Sequence, residues 1–178
     1  EVTFSIPYAD DALGQKIEPG APKPSLRFRA MEKLAAAGIP VGVMMAPVIP
    51  GLNDHQIPDV LKAAAAAGAS QAGFQLLRLP GPVRQVFLER IRAVLPQAAD
   101  KIEHRIRETR GGDLSDERFH ARFHGQGPYW DTIQRVFQVW RSKLGLDKRA
   151  PLAPGTGILR MNGACPKGPA SAQLALFS

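Results

Sequence analysis

Gly38-Ile39-Pro40-Val41-Gly42-Val43-Met44-Met45-Ala46-Pro47-Val48-Ile49-Pro50-Gly51-Leu52-Asn53-Asp54 is the stretch on which the fold turns. A glycine and a proline lead into an apolar run of strand length over residues 41–46. The run empties into a loop stiffened by Pro47 and Pro50, where Asn53 is placed to cap the turn that follows. Residues 39–50 form the longest apolar run in the chain, 12 residues holding three prolines. That is too short and too broken to span a bilayer.

Working outward, Val2-Thr3-Phe4-Ser5-Ile6 upstream and residues 72–79 downstream are two more runs of strand length. Helical patterns lie between them. Ser25 is a plausible N-cap for a helix that carries Leu26, Ala30, Met31 and Leu34 on one face and stops at Gly38. A second helix places Ile57, Val60, Leu61, Ala64 and Ala65 inward, with Pro58 in its first turn and Gly68 as its stop. Strands that alternate with helices through short loops predict parallel βαβ units with right-handed crossovers. Three strands make an incomplete sheet, because a parallel sheet is covered on both faces and closed or capped at its edges. Partner strands for residues 2–6 are therefore expected outside this sequence. The chain opens at Glu1 without Met, shows neither signal peptide nor transit segment, and reads as a piece of something longer.

After Pro82 the strand signals stop. Val83, Val86, Phe87, Ile91, Val94 and Leu95 form a helical stripe, Ala98, Ile102 and Ile106 continue a second helix, and Ile133, Val136, Phe137, Trp140 and Leu144 mark a third that ends at Gly145. The residues divide into 1–80, an α/β unit, 81–149, a helical extension, and 150–178, a tail expected to be disordered. That tail holds four Pro, four Gly, six Ala and only two charges. The net charge of +7 is uneven. Residues 1–77 carry six Lys/Arg against seven Asp/Glu, and residues 78–149 carry fifteen against nine. Such a basic surplus attracts phosphate backbones through salt-sensitive counterion release.

In α/β sheets ligands bind at the carboxyl ends of the strands. The candidates there are Ser5 and Pro7, residues 46–53, and residues 75–80. A serine at a strand end donates to a carboxylate or a ribose, or is a satisfied hydroxyl with no ligand. The proline-rich loop is equally a rigid connection. In the extension, Arg107, Arg110, Arg118 and Arg122 interleave with Phe119, Phe123, Tyr129 and Trp130, a pattern suited to phosphate contact and base stacking. The same residues also fit a packed aromatic layer with arginines paired to Glu108, Asp113, Asp116 and Glu117. His120 and His124 stand four apart, at metal-ligand spacing, and no third ligand stands out beside them, so no metal site is drawn from them.

The runs Val2-Thr3-Phe4-Ser5-Ile6, Glu18-Pro19-Gly20, Gly38-Ile39-Pro40-Val41-Gly42-Val43 and residues 46–54 resemble the C-terminal half of a radical S-adenosylmethionine (SAM) enzyme. The branch is that of spore photoproduct lyase and the DNA-repair photolyase-like radical SAM proteins. The resemblance covers residues 1–145. It implies strands 4 to 6 of a partial (β/α)6 barrel, TIM-like in its winding, followed by a helical extension, with the N-terminal half of the barrel as the missing partner. It implies that Ser5 and the backbone around Met45, Ala46 and Pro47 help hold S-adenosylmethionine, and that Arg78 borders the substrate opening. The implied activity is the generation of a 5'-deoxyadenosyl radical that takes hydrogen from the substrate, here a nucleic acid, in a bacterial cytoplasmic protein. One departure is severe. The CxxxCxxC loop that holds the 4Fe-4S cluster is absent, and Cys165, the only cysteine, cannot replace it, so the chain alone is expected to be inactive.

Gln173-Leu174-Ala175-Leu176-Phe177 is similar to the pentapeptide by which bacterial proteins bind the DNA polymerase sliding clamp, with Ala175 departing from the usual Ser or Asp. Gln173, Leu174, Leu176 and Phe177 are the partner-binding candidates; the alternative is that the leucines and Phe177 dock on the protein itself. Two further readings stand beside the nucleic-acid enzyme. One is a noncatalytic DNA-associated adaptor recruited by the clamp, and the other is a radical SAM enzyme acting on a protein or small molecule.

Overall fold

A computed structural model describes residues 1–114 and 125–147. The elements run β1 (Val2–Ser5), α1 (Asp11–Ile17), α2 (Pro24–Ala36), β2 (Val41–Val48), a 3-10 turn (Asp54–Gln56), α3 (Ile57–Ala66), β3 (Gln71–Leu76), α4 (Val83–Val94), α5 (Ala99–Glu108) and α6 (Pro128–Lys143). The three strands are parallel and stand in chain order, β1-β2-β3. The α/β class read from the strand and helix alternation is what the chain forms.

Register gives the sheet two unlike faces. Phe4, Val43 and Ala72 form one row, and Ser5, Met44 and Gly73 the next. Since successive side chains alternate, Val41, Val43, Met45, Ala72 and Leu76 share one face. All five are buried, and they meet Met31 of α2 and Ile57, Val60, Leu61 and Ala64 of α3 in one core. The other face carries Thr3, Ser5, Gly42, Met44, Gln71, Gly73 and Gln75. Apart from Met44 its residues are small or polar, and Thr3 and Ser5 are exposed. Gly42 and Gly73 keep it flat. A Cβ on Gly73 would meet the Met44 thioether at 2.9 Å, and one on Gly42 would meet the Gln71 side chain at 2.8 Å.

α6 belongs to the same core as the sheet. Trp130, Ile133 and Phe137 are buried there, and the Phe74 ring of β3 lies 4.4 Å from Phe137 and 5.5 Å from Trp130, centroid to centroid. The boundary drawn between residues 80 and 81 is thus not a packing boundary. Beyond the helix, Gly145 takes a positive φ of 65° and the chain returns to the sheet, where Leu146 O accepts from Ala72 N. A second core gathers residues just past each strand, namely Tyr8, Ile49, Leu77 and Leu79, against Ile91 of α4 and Ile102 and Ile106 of α5. The helices after β3 therefore pack beside the carboxyl ends of the strands.

Several local expectations differ. α1 is an additional helix, started by Asp10, whose carboxylate accepts from Ala12 N and Leu13 N. Ser25 does not cap α2; Pro24 occupies its first turn, and Ser25 Oγ donates to Asp11 instead. Leu26 is 51% exposed rather than inward. On α4 only Ile91 of the apolar stripe is buried, and Val83 and Val86 face outward at 50% and 65%. β2 runs on to Val48 through Pro47, whose missing N–H an irregular register accommodates: two residues, Ala46 and Pro47, stand opposite Gln75 alone. Among the described residues no helix is long and apolar enough to cross a membrane. The tail, residues 150–178, lies outside the described residues.

Candidate functional site

Past the last ladder bond between β1 and β2, Ile6 N to Met44 O at 2.9 Å, side chains take over the stitching. Ser5 Oγ donates to Ala46 O at 2.9 Å, and Arg27 Nη1 of α2 donates to Ser5 O at 2.7 Å. Asn53, fully buried, accepts from Ile49 N at 2.6 Å and donates to Pro7 O at 2.8 Å and Pro47 O at 3.0 Å. Its side chain thus reaches back across both strand ends and makes no cap bond to the 3-10 turn that follows. The Ala46-Pro47 peptide is cis.

Beside these stitches lies a cavity of about 260 Å³ lined by Ala46, Pro47, Gln75, Leu76, Leu77 and Arg78. Its floor is apolar, and its polar groups are the Gln75 amide and the Arg78 guanidinium, the latter exposed. At this size it holds part of a ligand rather than a whole one, since sites for drug-sized molecules run from roughly 300 to 1,000 Å³. Ala46 and Pro47 line it, while Ser5 does not and reaches it only through its bond to Ala46 O. Met45 does not line it, and its side chain is wholly in the core. Of the two readings for Ser5 the structure has the satisfied hydroxyl, whose proton goes to Ala46 O. Its oxygen keeps acceptor capacity, which matches a ribose hydroxyl and not a carboxylate.

The arginines of the extension have unlike surroundings. Arg107 is half-exposed, paired with Glu103 at 2.9 Å, and reaches Gly112 O. Glu103 also takes Arg92 at 2.7 Å. Arg105 pairs with Glu108 at 2.6 Å and lies 4.3 Å over the Tyr129 ring, and Arg90 donates twice to Lys16 O at the end of α1. Arg110 is buried and donates to Leu77 O at 2.7 Å, beneath the cavity wall. It therefore fastens the end of β3 and does not face a phosphate backbone from solvent. Trp130 is likewise core and not a stacking platform, and Tyr129 gives its hydroxyl to Asp54. Burial and that bond push the Tyr129 phenol up to about 12. Arg118, Arg122, Phe119, Phe123, His120 and His124 lie outside the described residues, as do Gln173, Leu174, Leu176 and Phe177.

Sequence reasoning missed Gln56, whose Oε1 accepts from Ala9 N, and the Asp54–Tyr129 link between the site loop and α6. Neither leaves a short-range signal, because the partners stand 47 and 75 residues apart. Among the described residues no three His, Cys, Asp or Glu side chains converge to hold a metal ion.

Uncharacterized proteins of Mycobacterium tuberculosis and Mycobacterium bovis are 35% identical to this chain over 89 residues, which is 49% of this chain and 26% of each relative. The matched stretch is thus about a quarter of the length of those relatives. No family model matches the chain, and no solved structure matches it.

Proposed function

We propose that this chain is the C-terminal part of a bacterial, cytoplasmic radical SAM enzyme acting on nucleic acid, lyase-like in the manner of DNA-repair enzymes, its sheet forming strands 4 to 6 of a partial barrel. The observation that carries the reading is the position of Ala46 and Pro47, from the motif that bears the resemblance, in the wall of a cavity at the carboxyl ends of three parallel strands in chain order. Three parallel strands in one-way order agree with a stretch of such a barrel, and one half of a doubly wound sheet has the same order. The polar second face suits the inner wall of such a barrel.

The residues fit part of S-adenosylmethionine. Ala46, Pro47, Leu76 and Leu77 offer an apolar wall for a planar base, and Ser5 Oγ, outside that lining but bonded to Ala46 O, keeps an acceptor beside it. The cofactor's chemistry in such enzymes is hydrogen abstraction from the substrate after reductive cleavage. This chain's own residues bind and orient: the stitches from Ser5, Arg27 and Asn53 hold the wall, and Arg78 supplies positive charge at the rim. The cluster does not fit. One cysteine in 178 residues cannot provide three thiolates.

The tail pentapeptide favours a second reading, a noncatalytic DNA-associated adaptor recruited by the sliding clamp. Sequencing the full-length parent for a CxxxCxxC loop, followed by anaerobic reconstitution and a 5'-deoxyadenosine assay with and without DNA, separates the two. Formation of 5'-deoxyadenosine that rises with DNA supports the enzyme. A parent with no such loop and no product, yet with clamp binding through Leu176 and Phe177, supports the adaptor and removes the enzyme.

A further inference from the structure

Backbone pairing cannot join the loops that follow β1 and β2. Pro7, two residues past β1, and Pro47, near the end of β2, have no N–H to give, and both of their carbonyls accept from a single donor. That donor is Asn53 Nδ2, while Asn53 Oδ1 holds Ile49 N. The amide's two hydrogens and its acceptor are all engaged, so this one side chain fixes three backbone groups, those of Pro47 and Ile49 close by and that of Pro7 46 residues away. Pro47 is also a wall of the cavity, and Ala46, its neighbour, is held from the other side by Ser5 Oγ.

We infer that Asn53 is a positioning residue: it sets the separation of the two strand-to-helix loops and thereby stands Ala46 and Pro47 as the wall of the cavity. The inference rests on the reading of that cavity as a ligand site given above. Its chemistry excludes near-isosteres. Aspartate keeps the acceptor for Ile49 N and loses both donors, setting a carboxylate against the Pro7 and Pro47 carbonyls. Leucine keeps the volume and loses all three bonds.

The test uses the 178-residue chain, with Asn53→Asp compared against Ile133→Ala, a core truncation on α6 away from the loops, at temperatures chosen for equal distance below each Tm. Amide NMR spectra of both are recorded with and without S-adenosylmethionine. Asn53→Asp is expected to move the amides of Ser5, Val48, Leu76 and Leu77 and to weaken S-adenosylmethionine binding about tenfold or more. Ile133→Ala leaves those amides and the binding within twofold of the native chain. Equal displacement by both variants, or native amide positions in Asn53→Asp, would overturn the inference. If Asn53→Asp does not fold, the native chain decides: the Asn53 side-chain NH2 protons exchange slowly if they hold both carbonyls, and exchange at the rate of an exposed asparagine would overturn it. A native chain whose amides are all unmoved by S-adenosylmethionine sinks the cofactor-site reading, while the amide comparison still decides whether Asn53 sets the wall.

Discussion

Replacing Phe137 by Ala tests whether the helical extension and the sheet are one cooperative unit. Phe137 is 1% exposed and its ring sits 4.4 Å from that of Phe74 on β3. Removing the ring forfeits a transfer term of about 1.5–3 kcal/mol. It also leaves a void of up to roughly 100 Å³, which at about 24 cal/mol per Å³ adds about 2 kcal/mol where the walls do not collapse. The lost ring pair contributes about 0.5–1.5 kcal/mol more. Partial collapse of helix α6 reduces the sum, so a loss of about 3–5 kcal/mol is expected, a large fraction of the stability of a domain this size. The assay is urea unfolding followed together by far-ultraviolet circular dichroism and by fluorescence of Trp130 and Trp140, with amide exchange at β2 and β3. One shared core requires coincident transitions, an unchanged m value and lost protection at Val43 and Ala72. Two separate transitions, or a change below about 1 kcal/mol with sheet protection intact, would refute the argument.

Arg110→Met should cost about 1–3 kcal/mol, because Leu77 O is left without its buried donor, whereas Arg107→Ala, half-exposed and ion-paired, should cost about 1 kcal/mol or less; thermal melts of the two variants distinguish them. Tyr8→Phe should stabilise the chain by about 1 kcal/mol, since the Tyr8 hydroxyl is buried with no hydrogen-bond partner among the described residues, and a lower Tm would contradict this. Both phenols are raised above the ordinary value of 10, Tyr129 to about 12 and Tyr8 also upward by burial. The folded chain therefore keeps phenol protons that the unfolded chain releases, so this contribution to stability is complete below pH 10 and is lost as pH rises through about 12. Phenolate absorbance near pH 11 should be small in the native chain and appear on unfolding in urea.

Residues 38–54 were readable because hydrophobic run length, glycine stops and proline positions are local properties. They gave the order of β2 and α3, and Gly38 and Gly68 do end helices with positive φ. The outward turn of Val83 and Val86 was not readable, since periodicity reports that a stripe exists and not that anything covers it. Arg110 and Trp130 show the same limit from the other side. Composition put both in a basic, aromatic stretch, yet Leu77 O and the Phe74 ring, more than thirty residues away, draw them inward. Asn53 was singled out as a helix cap, its commonest local role, and its actual partners Pro7 and Pro47 become neighbours only when two strands align.

The alternation across the sheet has a consequence for how this chain can change. Stability is written in Val41, Val43, Met45 and Ala72, while Thr3, Ser5, Met44, Gln71 and Gln75 project to the opposite side from the same backbone. Two inheritances therefore share one ribbon without competing. A lineage can rewrite the outward set to admit a different molecule while the inward set keeps the fold, and the toll for novelty falls on Gly42 and Gly73, where any added side chain lifts the surface.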